Sequence, residues 1–238
     1  MKNLKKVITA VLFLAFIANV QTAFANHGDR VKTKANYMEG DVLKVSTKSG
    51  LKLREAPSLN SRVFAKMQLG DEVTVLNTLS FERAQTIELI EGSWVYVDYH
   101  GMTGYTFDGF LSRLPLPSNG FSMTELIELN YDVVESKDTI YMGEQTKHSR
   151  TYENGIEVMH YYGEGGGYTE IRLPGIRLSE AYVFCMNTMP EFNEFAKRMR
   201  VKRNKNKDII EYSSGTEYME ITIKEVDGVA VISTFSGC

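Results

Sequence analysis

Residues 50–58 read GLKLREAPS. Leu51 and Leu53 alternate with Lys52 and Arg54, the period-two pattern of a strand that buries one face. Pro57 ends the strand because it has no amide to give to a ladder, and Gly50 marks a tight turn just before it. A helix would not tolerate the proline and a lone strand would not need it. The stretch therefore reads as one strand running into a sharp turn, with Leu51 and Leu53 inward and Arg54 pointing the other way.

The same texture continues on both sides, from 41 to about 113. DVLKVST alternates, SRVFAKM follows a polar turn at 58–60, and DEVTVLNTL puts Val73 and Val75 on one face. IELIEGSWVYVDYHG holds two more short strands and MTGYTFDGFLSRL closes the region. Short strands at this spacing, punctuated by Gly and Pro, specify a small all-β barrel or sandwich.

Upstream, MKNLKK is a basic start, VITAVLFLAFIANV an apolar run and AFA a small-residue processing site. Residues 1–25 read as a signal peptide cleaved near Ala25/Asn26, and the run is shorter than the ~20 residues that span a bilayer. Lys2, Lys5 and Lys6 leave with it and no acid does, so a net charge of −3 becomes −6. No basic excess remains for general nucleic-acid binding. A soluble periplasmic or secreted protein is expected, without stable membrane insertion. Residues 26–40 read as a polar tether in which His27 is simply solvated.

PLPSNG at 115–120 reads as a linker, with a second domain over 121–238. Ser122 and Glu125 form a capping box at the start of a helix over about 122–130. Asn154-Gly155 between extended flanks signals a hairpin. YTEIRL and EAYVFCMN read as further strands. Thr188-x-x-Glu191, with Pro190 in the first turn, opens a second helix whose apolar face is Phe192, Phe195, Ala196 and Met199. Asp227-Gly228 turns the last hairpin. The order is helix, about four strands, helix, about three strands: an α+β layer with an antiparallel sheet and two helices.

The two cysteines, Cys185 and Cys238, both follow the leader. Export places them where disulfides persist. A bridge would tie down the chain end and close a loop of about 50 residues, for roughly 4 kcal/mol; two separate thiols are the alternative. All four histidines precede Cys185, and no nucleophile turn surrounds it, so no catalytic residue is assigned. Glu125, Glu164, Asp208 and Glu211 offer carboxylates, but nothing in their spacing pairs them. His148 and His160 lie on the arms of the Asn-Gly hairpin with no third ligand, so no metal site is assigned. GEGGGY at 163–168 lacks the Gly-Lys-Ser/Thr ending and opens a strand, so it is a turn and not a phosphate loop; no cofactor is expected. KRMRVKRNKNK at 197–207 reads as a solvated helix end and loop. Lys197, Arg198, Arg200, Lys202 and Arg203 are the candidate patch for an anionic partner.

Four segments in order carry a resemblance: LKLREAPS, LGDEVTVL, SWVYV, and GMTGYTFDGFL. Over about 42–113 the chain resembles the bacterial SH3-like (SH3b) domain family. The second half resembles no family known to us. Two departures stand out: the segment between Val75 and Trp94 is longer than the family needs, and Tyr105 stands where a Trp is common. The resemblance implies attachment to cell-wall peptide or glycan, or to an envelope protein. Trp94, Tyr96, Tyr105 and Phe110 are the candidate ligand-binding rings, with Trp94 and Tyr96 partly exposed on the face opposite a Val95–Val97 core. The expected function is an exported, non-catalytic binder of a peptide or peptidoglycan-type ligand. The alternative is an exported hydrolase or hydrolase inhibitor acting through the second half.

Overall fold

The computed structural model describes residues 37–78, 85–116, 120–141, 145–163, 165–189, 192–205, 209–216 and 219–237. The leader, most of the tether, the middle of the linker, Glu164, Pro190, Glu191, Asp208 and Cys238 lie outside the described residues. What is described is mostly β, with three antiparallel sheets and few helices. No described helix is long and apolar enough to cross a membrane.

Among the described residues, nine strands fill the first half: β1 (Val42–Val45), β2 (Leu51–Arg54), β3 (Val63–Met67), β4 (Glu72–Thr78), β5 (Gln85–Ile87), β6 (Ile90–Gly92), β7 (Trp94–Tyr99), β8 (Met102–Phe107) and β9 (Leu111–Ser112). Seven of them form one sheet in the order β3-β2-β8-β7-β4-β1-β9. Alternation sends Leu43, Val45, Leu51, Leu53, Val73, Val75, Val95 and Val97 into its core. Gly50 is obligatory: its φ is +77°, and a Cβ there would lie 2.7 Å from the Met67 carbonyl oxygen. The turn after β2 is held by Ser61, whose hydroxyl donates to Ala56 O (3.0 Å) and accepts from Ala56 N (3.2 Å). Arg54 departs from the alternation. A register shift between Leu53 and Arg54 turns it inward, and its guanidinium donates to Ser61 O at 3.0 Å, closing the turn.

The long segment before Trp94 forms the hairpin β5–β6, a sheet of its own. The expected tether ends earlier than 40: Tyr37 is buried and donates to Leu111 O at 2.6 Å.

The second half holds α1 (Met123–Asn130), then β10 (Val133–Tyr141), β11 (Gln145–Tyr152), β12 (Glu157–Gly163) and β13 (Gly166–Leu173). After these come α2 (Leu178–Thr188) and α3 (Phe192–Ala196), then β14 (Arg200–Arg203), β15 (Ile209–Gly215), β16 (Met219–Val226) and β17 (Val229–Gly237). The eight strands form one sheet, β10-β11-β12-β13-β17-β16-β15-β14. It is two four-stranded meanders, each preceded by helix, joined through their last strands.

The first capping box forms as the sequence specifies: Glu125 N donates to Ser122 Oγ at 3.3 Å and Ser122 N to Glu125 Oε2 at 2.7 Å. EAYVFCMN is helix and not strand. Residues 181–185 of α2 are all buried, so no exposed face breaks the apolar run into a 3.6-residue period. The second predicted helix survives only as α3, and Arg200–Arg203 is strand where a helix end and loop were expected.

The described residues form one compact unit, and charged contacts join the two sheets. Glu180 on α2, fully buried, accepts from Arg113 N (2.9 Å) and lies 3.6 Å from the guanidiniums of Arg113 and Arg177. Arg177 donates to Asp108 Oδ2 at 2.7 Å, and Arg113 to Asp41 Oδ2 at 2.7 Å. The Tyr37 ring lies against both guanidiniums, 3.9 Å from that of Arg177 and 4.4 Å from that of Arg113. The β5–β6 hairpin adds a second bridge, with Leu89 O accepting from Tyr212 Oη at 2.8 Å and Glu91 Oε2 from Ile209 N at 3.1 Å.

Candidate functional site

Strands β7 and β8 carry the predicted ligand-binding rings. Their register sets Trp94 opposite Phe107 and Tyr96 opposite Tyr105. Tyr96 and Tyr105 remain half-buried at the surface, their ring centroids 5.0 Å apart, and the Tyr96 hydroxyl donates to Thr103 Oγ1 at 2.8 Å. Val95 and Val97 are core, as alternation requires.

Trp94 and Phe110 are corrections. Trp94 is 1% exposed and packs edge-on to Phe107 at 6.3 Å; Phe110 is 9% exposed and lies 5.8 Å from Phe107. Residue 93 is pinned to a 3₁₀ turn at Asp108–Phe110, with Ser93 N donating to Asp108 Oδ1 at 2.6 Å and Asp108 N to Ser93 O at 2.9 Å. Helix α2 packs over that turn. The start of β7 is thus covered by the second half of the chain. The indole Nε1 has no hydrogen-bond partner among the described residues.

The expected Cys185–Cys238 bridge has its Cys238 end outside the described residues. Cys185 is a free, fully buried thiol on α2, 3.6 Å from Met123 Sδ. Burial pushes its pKa well above the usual thiol range.

The five basic residues lie on two consecutive segments, the end of α3 with its following turn, and β14. Lys197 pairs with Glu194 at 2.6 Å, and Arg198 is exposed in the turn after α3. Arg200, Lys202 and Arg203 lie on β14, an end strand of the large sheet, with Lys202 opposite Glu211. Charges on an edge strand discourage pairing with another chain, which gives them a structural reason to be there. Of the carboxylates weighed in sequence, Glu125 is engaged in the α1 cap, where the Ser122 amide and hydroxyl hold it below the usual carboxylate range.

His148 and His160 do face each other across β11–β12. Their Nδ1 atoms are engaged separately, by Asp138 at 2.7 Å and by Thr169 at 3.0 Å. No group of three or more His, Cys, Asp or Glu suited to a metal occurs among the described residues.

Sequence reasoning missed a groove. A cavity of about 1,060 Å³ opens between one face of β12, β13 and β17, the start of α1 and the end of α2, with the 47–49 turn and Leu69 of the small sheet as its lip. Asn187 on α2 donates to Ser46 O at 2.5 Å, fixing that lip to the helix. The hydroxyl-rich strand faces were visible in sequence, but not which elements would stand over them.

Residues 49–112 match the family model of the bacterial SH3 domain. The small sheet is a bacterial SH3 domain. The second half of the chain has no family match, and no curated protein or solved structure matches the chain. The SH3 domain's departures now have places: the long segment before Trp94 is the β5–β6 bridge, and Tyr105 is the ring paired with Tyr96.

Proposed function

We propose that this is an exported cell-envelope protein, periplasmic or secreted, whose SH3 domain binds a peptide or peptidoglycan-type ligand, and that it performs no catalytic step. The Tyr96–Tyr105 pair is the observation that carries the reading. Two tyrosines held 5.0 Å apart on the outer face of β7 and β8 present apolar ring area with hydroxyls at the edge, which suits an amide- or sugar-containing chain. Bacterial SH3 domains are binders of cell-wall ligands, and the leader-like first 25 residues supply the route to such a ligand. Trp94 and Phe110 pack against Phe107 where the second half covers the domain, and are not part of the contact surface.

The test is sedimentation of the purified full chain with peptidoglycan. The wild type is expected in the pellet, and the double variant Tyr96→Ala/Tyr105→Ala is expected to stay in solution while its circular dichroism shows that it remains folded. A wild type that never co-sediments, or a double variant that pellets equally well, would remove the proposal.

A further inference from the structure

The groove on the large sheet has a built floor. Cross-strand register lays its side chains in rows. Tyr162, Gly167, Ser236 and Met219 form the outer row across β12, β13, β17 and β16; His160, Thr169 and Thr234 form the next; Ile171 leads the deepest. Polarity is graded from apolar beneath the helices to hydroxyl and imidazole in the middle. Thr169 Oγ1 engages Nδ1 of His160 at 3.0 Å, while the hydroxyls of Thr234 and Ser236 have no side-chain partner among the described residues. The volume of about 1,060 Å³ lies just above the roughly 300–1,000 Å³ typical of ligand sites.

Three features narrow the ligand. First, Lys48 and Glu125, one of each sign, are the ionised side chains in the lining, and the Glu125 carboxylate is already occupied by Ser122. Burial holds His160 below the ordinary imidazole range, so it is neutral at pH 7. The floor therefore favours an uncharged ligand. Second, Met123, Met186, Met189 and Met219 contribute to the lining. Unbranched thioethers adapt to apolar groups of varied shape, whereas the hydroxyls of a sugar would be desolvated against them without partners. Third, hydroxyls both donate and accept, matching the paired N–H and C=O of an amide chain. Phe121 and Tyr162, both exposed, stand at the mouth.

We propose that this groove is a second binding site, separate from the tyrosine pair, and that it takes a short uncharged peptide segment bearing apolar side chains. The peptide amides meet the hydroxyl and imidazole row, and its side chains lie on the methionines.

The full chain, labelled with ¹³C at the methionine methyls, would be titrated with a pool of short peptides of Ala, Leu, Val, Ser and Gly, acetylated and amidated at their ends. The signals of Met186, Met189 and Met219 are expected to shift saturably. Gly167 provides the blocking variant: a Cβ built there meets nothing closer than 3.8 Å, so Gly167→Leu fills the floor without a backbone clash. It is expected to weaken binding about tenfold or more. Ser236→Leu, at an exposed position of the same row, does the same should the first variant not fold. Tyr96→Ala/Tyr105→Ala is expected to leave this titration unchanged, so failure here is distinct from failure at the SH3 domain. Unmoved methionine signals, equal affinity in both blocked variants, or saturable shifts by chito-oligosaccharides in place of the peptides would overturn the proposal.

Discussion

The Cys185 thiol has the Met123 thioether 3.6 Å away and no solvent exposure. Burial raises its pKa, and the thiolate is the reactive form, so Cys185 should be inert while the fold persists. In a Cys238→Ser background, a thiol reagent is expected to label the native protein orders of magnitude more slowly than the denatured one; equal rates would contradict the packing described. The other residue-scale lesson is Trp94. Alternation correctly gave Val95 and Val97 to the core, but it assigns faces only within one sheet. Whether the opposite face meets water or a second layer depends on residues more than 80 positions away. Arg54 makes the same point through a register shift, which moves a side chain that strict alternation would leave outside.

At the scale of elements, local signals worked where local physics dominates. The Ser122–Glu125 box satisfies orphan amides at the start of α1 without help from the rest of the fold, so it was legible. Ser122→Ala is expected to lower stability by about 1 kcal/mol, read as a shift of the urea midpoint at constant slope; an unchanged midpoint would mean the cap is redundant. Helix α2 was illegible for the opposite reason. A short apolar run buried on every side carries neither the 3.6 nor the 2.0 period, and its aromatic and β-branched residues then favour a strand reading. The β5–β6 hairpin was seen only as surplus length in the SH3 domain. Its use as a bridge appears in the hydrogen bonds from Tyr212 and Ile209.

At the scale of the molecule, Glu180 is the keystone of the contact between the two sheets. It is buried between Arg113 and Arg177, and removing it strips the Arg113 amide of its acceptor and each guanidinium of one of its two carboxylates, while Asp41 and Asp108 remain. Glu180→Ala is therefore expected to cost roughly 1–3 kcal/mol. Because that network and the hairpin both cross the junction, the two sheets should unfold together. Trp94 is the sole tryptophan and sits in the SH3 domain, so its fluorescence reports that half, while far-UV circular dichroism reports the whole. Coincident urea transitions are expected; separate midpoints would show that the junction is too weak to couple the halves. The sequence alone determined the small sheet, its turns, the first helix cap and the hairpin signals, since each depends on neighbours within a few residues and on the two-residue period of a strand. Tertiary structure alone decided that the indole is sealed, that Cys185 lies on a helix in the core, and that a hydroxyl-lined groove forms on the large sheet. Those outcomes depend on which distant surfaces meet, and burial is a property of the meeting and not of either surface by itself.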